Sequence, residues 1–112
     1  MPDRFAHTPE PPYFAVIFTS QHREPMDGEY EATAKALLHR VHELPGFLGF
    51  EAASDSGFEM LVAYFADETA IHAWRHDERH RDAQRHGKSH WYSQYQVRVA
   101  RVERSYSGPE GR

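Results

Sequence analysis

A chain of 112 residues builds one hydrophobic core, not two, and 39% hydrophobic with 27% charged residues fits a soluble globular domain. The formal net charge of -4 gives no basic footprint for nucleic acid, and the absence of cysteine removes disulfides, thiolate metal sites and thiol nucleophiles. No apolar run reaches membrane-spanning length, and MPDRFAHTPEPP lacks a signal-peptide core. A cytoplasmic protein with neither nucleic-acid nor membrane partners is therefore expected.

In chain order, residues 1–12 carry Pro2, Pro9, Pro11 and Pro12 and read as a flexible arm. Tyr13 to Ser20 (YFAVIFTS) is aromatic and β-branched, which predicts a strand. After the loop QHREPMDG, with Asp27 as a candidate cap, apolar residues recur at Tyr30, Ala34, Leu37, Leu38 and Val41. That spacing predicts a helix over 29–43. His39 and His42 fall off its apolar face and read as solvated. Pro45-Gly46 stops the helix, and Phe47 to Ala53 (FLGFEAA) reads as a second strand. SDSG at Ser54 to Gly57 is a turn cluster, and Phe58 to Phe65 (FEMLVAYF) completes a hairpin. Asp67 caps a second helix, and a last strand runs from about Ser93 to Arg104. The tail 107–112 reads as frayed. Strand, helix, strand, strand, helix, strand is the ferredoxin-like α+β plan, a four-stranded antiparallel sheet with both helices on one face.

Two strands fail to alternate apolar with polar residues. Phe14, Val16 and Phe18 oppose Tyr13, Ala15 and Ile17; Met60, Val62 and Tyr64 oppose Leu61, Ala63 and Phe65. A sheet face left to water should be polar, and several exposed apolar side chains forfeit several kcal/mol at about 25 cal/mol per Å². The uncovered face is therefore expected to pack on the same face of a second copy, giving a homodimer. The alternative is that the arm and helices cover that face.

HAWRHDERHRDAQRHG, residues 72 to 87, holds four of the nine histidines beside Trp74. His72, His76 and His80 step by four on a straight helix, a spacing that can chelate a metal when further ligands join it. No second ligand cluster accompanies them, so no metal is assigned. A straight helix would also turn Ala83 to solvent. A break at His76-Asp77, with Asp77 as a new N-cap, would place His80, Ala83, Gln84 and Gly87 on one inner face. Trp74 is then core and, at the same time, one wall of an apolar cavity where a flat substrate could stack. Ser20 and His22 in FTSQH lie close in sequence but form no triad.

Together LPGFLGFEAA, FEMLVAYF, DETAIHAWRHDERHRDAQRHG and WYSQYQVRVARVER resemble the antibiotic biosynthesis monooxygenase family, over Tyr13 to Tyr106. The resemblance implies one domain over 13–106 and a dimeric α+β barrel formed sheet to sheet. It also implies a cofactor-independent monooxygenase that acts on a small aromatic or quinol-like substrate, the substrate's own anion passing an electron to O₂. Trp74 matches the tryptophan of the family pocket. Family members that open heme use a tryptophan, an asparagine and a ligating histidine. Here Gln84 stands at the histidine's place and the chain contains no asparagine. Heme binding or degradation is one alternative, and a non-catalytic dimeric ligand-binding module is another.

For such a site His80 is the candidate general base or hydrogen-bond partner, since its ordinary pKa near 6.5 suits proton transfer at neutral pH. A capping or surface histidine is the bland reading of the same residue. Gln84 could donate a hydrogen bond to a substrate oxygen, Tyr64 and Tyr92 offer phenols, Arg98 could stabilise an anion, and Phe18 joins the substrate-binding set. No phosphate loop, nucleophile elbow or HExxH helix is present.

Overall fold

The computed structural model describes residues 4–23, 28–77, 80–82, 85 and 91–109. Its elements run β1 (Tyr13–His22), α1 (Gly28–His42), β2 (Phe47–Asp55), β3 (Phe58–Phe65), α2 (Glu68–Arg75) and β4 (Tyr92–Val102). The four strands form one sheet in the order β2-β3-β1-β4, and every neighbouring pair is antiparallel. The expected α+β ferredoxin-like plan is the one the chain adopts. Asp27, named above as a cap, lies outside the described residues.

Each element follows from local chemistry. α1 carries Glu29 and Glu31 in its first turn and His39, Arg40 and His42 in its last, the arrangement that complements a helix dipole. Ser56 (φ 53) and Gly57 (φ 84) both take positive φ, so β2 and β3 join through a two-residue turn of the type that suits strand twist. The hairpin is thus tighter than the expected four-residue turn, and β2 runs on to Asp55, paired with Phe58. Asp67 caps α2, its Oδ1 accepting the Ala70 amide at 2.8 Å.

Register fixes the two sheet faces. Phe14, Val16 and Ala63 pack with Phe47, Leu44 and Trp74 around a buried cluster of Val41, Phe65, Ala70 and Ile71. This is the helix-covered face. Gly46, at φ +91, lets the loop before β2 press against α2. A Cβ there would sit 2.7 Å from that of Ala70.

The outer face carries Tyr13, Ala15, Ile17, Met60, Val62 and Tyr64. Here residues 4–12 are laid against the sheet rather than free of it. The Ala6 amide donates to Glu51 Oε2 at 3.2 Å, and the Thr8 hydroxyl donates to the Tyr13 oxygen at 3.0 Å. Tyr13 and Ala15 are buried, whereas Phe58 and Met60 remain exposed at 47% and 45%. Arm cover and an uncovered apolar patch therefore coexist on one face. No described helix is long and apolar enough to cross a membrane.

Candidate active site

The second helix ends at Arg75, and His76 (φ -96, ψ 4) leaves the helical path. Asp77 then starts a new turn: its Oδ1 accepts the His80 amide at 3.1 Å, and its carbonyl accepts the Arg81 amide at 2.9 Å. The break expected at His76-Asp77 is present. Within a continuous helix the Trp74 carbonyl would accept the amide four residues on. The break instead gives that oxygen to the Asp77 amide, at 3.1 Å, and to His80 Nδ1, at 3.0 Å.

That last contact decides the imidazole's chemistry. A carbonyl oxygen can only accept, so Nδ1 carries the proton and, in the neutral ring, Nε2 keeps its lone pair. The ring lies on the Trp74 indole, with centroids 4.3 Å apart and planes 16° from parallel. Burial lowers the His80 pKa below the ordinary histidine value, while the Trp74 carbonyl and the Asp77 carboxylate pull it back upward. A neutral, oriented imidazole on an aromatic wall is what a general base requires. His72 and His76 stay outside this arrangement, exposed and with rings 4.2 Å apart. Among the described residues no group of three or more potential ligands could hold a metal ion.

An apolar strip lies on the helix-covered side of β1 and β4. Val16, packed against the core that Trp74 also touches, pairs with Val99, and Phe18 pairs with Val97. Val97 and Val99 are 45% and 53% exposed although they lie on the helix-covered side of the sheet. Phe18 stacks near Tyr95 (5.9 Å) and meets Tyr92 edge-on (5.5 Å). Phe18 and Tyr92 thus belong to this side of the sheet.

Two expected members do not. Tyr64 pairs with Ala15 and Arg98 with Ile17, so both point to the outer face, away from Trp74. The cause is the period-2 alternation of strands. Tyr64 donates to Glu51 Oε1 at 2.6 Å, and burial with that bond pushes its phenol up to about 12. Arg98 donates to Gln96 Oε1 at 2.9 Å on the exposed edge strand. Within one chain neither can reach a substrate held at Trp74. Gln84, Ala83 and Gly87 lie outside the described residues. Two shallow depressions lie elsewhere: one of about 280 Å³ beside Ala32, Thr33, Ala36 and Leu37, and one of about 240 Å³ between the arm and Ser105 and Ser107.

The structure also gathers a group that was passed over. Ser20 and His22 share the helix-covered face with Glu59, beneath Tyr30 of α1. Tyr30 donates to Glu59 Oε1 at 2.9 Å, and His22 Nε2 lies 3.6 Å from the same oxygen. Burial, with Tyr92 and Glu59 close by, drives the Tyr30 phenol upward. Ser20 and His22 do not bond to one another, and no nucleophile results. The signal was alternation: Ser20 follows Phe18 and Glu59 precedes Leu61 on inward-facing positions.

An antiparallel β2-β3-β1-β4 sheet with both helices on one side defines the ferredoxin-like α+β class. Residues 13–86 match the antibiotic biosynthesis monooxygenase family model, and the chain belongs to that family. It is 43% identical over 105 residues to the uncharacterized protein YqjZ of Bacillus subtilis, covering 93% of this chain and 91% of that protein. It is 27% identical over 100 residues to a jasmonate monooxygenase of Pyricularia oryzae, covering 87% of this chain but 46% of that protein, so the chain spans about half its length. Among solved structures, protein SO0527 from Shewanella oneidensis superposes with a TM-score of 0.74 at 10% identity, over 84% of this chain and 94% of that one. Rv0793 from Mycobacterium tuberculosis gives 0.73 at 14% identity, over 85% and 99%.

Proposed function

We propose that this protein is a monooxygenase that needs no cofactor and acts on a small aromatic or quinol-like substrate, in keeping with its family. The observation that carries this reading is the His80 imidazole lying flat on Trp74, with Nδ1 tied to a carbonyl so that, in the neutral ring, Nε2 is the nitrogen with the lone pair. A phenolic substrate stacked near the indole would lose its proton to Nε2. Its anion passes one electron to O₂, and the two radicals combine at a ring carbon that bears hydrogen to give a peroxide anion. That anion takes the proton back from His80 Nε2. Loss of water from the hydroperoxide, with the hydrogen of the same carbon, leaves a carbonyl: one oxygen atom enters the product and the other leaves as water. An apolar floor of Phe18, Val97 and Val99 would shield the radical pair from solvent.

The working unit in this reading is a homodimer joined through the outer face, where Phe58 and Met60 remain exposed. Oxygen uptake with a panel of anthrols and quinols tests the activity. His80→Gln is expected to reduce turnover by about 10²-fold or more, and Trp74→Phe is expected to weaken substrate binding. No uptake with any of the panel, or a His80→Gln variant as active as the parent, overturns the proposal.

One observation favours heme as a second reading. A ring whose Nδ1 donates to a carbonyl carries its lone pair on Nε2, the nitrogen that would ligate iron. A Soret shift on adding heme, lost in His80→Gln, would support that reading.

A further inference from the structure

The contacts around Asp77 extend to a residue outside the wall itself. Arg40, in the last turn of α1, sends its Nε to Asp77 Oδ2 at 2.6 Å. The other carboxylate oxygen accepts the His80 amide at 3.1 Å, and the Asp77 amide shares the Trp74 carbonyl with His80 Nδ1. One aspartate therefore faces α1 with one oxygen and the histidine-bearing turn with the other. Its side chain is only 13% exposed, so losing the Arg40 guanidinium would take a charge-assisted bond from a largely desolvated carboxylate.

We propose that Arg40 is a positioning residue for His80, acting through the Asp77 carboxylate to hold the imidazole flat on Trp74 with Nε2 as its unprotonated nitrogen. Helix α2 ends one turn too early to hold His80 by its own hydrogen bonds. The orientation of the new turn therefore depends on its cap, and the cap's orientation on Arg40. The geometry also sets charge: Arg40 offsets the carboxylate that would otherwise draw a proton onto the ring. Among the described residues the charged groups placed against this imidazole are Asp77 and, behind it, Arg40.

The inference takes His80 to be the proton acceptor proposed above. Its test reads the imidazole and not turnover, so a failed latch and an absent oxygenase activity are separate results. In proton NMR of the full chain, the His80 ring signals, assigned by their loss in His80→Gln, should carry an upfield ring-current shift from the indole. Arg40→Gln is expected to remove that shift and raise the His80 titration midpoint, and Arg40→Lys to restore part of both. On an Asp77→Asn background, Arg40→Gln should change neither further. Wild-type ring signals and midpoint in Arg40→Gln overturn the proposal. So does an Arg40→Gln effect of equal size when Asp77 is already replaced.

Discussion

Buried against Trp74, the His80 imidazole resists protonation, and this has two measurable consequences. As pH falls, the unfolded chain takes up its proton first, near the ordinary histidine value of about 6.5. The stability this group confers is thus complete above that value and is lost as pH drops toward the folded one. Urea unfolding of the parent should weaken over the mildly acidic range more steeply than unfolding of His80→Gln. If oxygen uptake depends on neutral His80, the rate should hold its plateau further into acid than a free histidine would allow. The helix break that turns His80 back toward Trp74 was readable in advance because Asp77 is a strong cap and Ala83 made a straight helix implausible. Tyr64 and Arg98 were misplaced because their residue types were weighed without their strand parity. The alternation that put Phe14 on the core already put both on the other side.

At the scale of the element, capping and glycine signals located most boundaries. Asp67 receives the Ala70 amide, and Asp67→Ala should lower stability by about 1 kcal/mol in a denaturant titration. Gly46 combines a positive φ with a 2.7 Å approach to Ala70. Gly46→Ala should destabilise by about 1–3 kcal/mol, seen as a lower unfolding midpoint with an unchanged slope. The hairpin was legible, but its turn was drawn two residues too long, starting at Ser54 instead of Ser56. Ser and Asp mark turns by composition, while the positive φ that fixes the turn at Ser56-Gly57 leaves a clear trace only in the glycine. The Tyr30–Glu59–His22 group was legible only in part. Alternation puts Glu59 on an inward-facing position, but its meeting with His22 and Tyr30 depends on register across three elements.

For the whole molecule, sheet order and helix side followed from the order of the elements, whereas the course of the arm did not. Proline-rich composition says that a segment is not helical; it does not say whether the segment rests on something. The exposed Phe58 and Met60 predict association. Met60→Glu should shift sedimentation toward a lone protomer while the far-ultraviolet spectrum stays native, and an unchanged sedimentation coefficient would count against a contact there. The course of residues 4–12 also has a practical bearing. The family-matched segment begins at Tyr13, so a version trimmed to that boundary would take Thr8 from the Tyr13 hydroxyl and leave Glu51 without the Ala6 amide. Such a shortened protein should be stickier and melt earlier than the full chain. A second copy docking on this face would have to close over a pair of these straps rather than on bare strands.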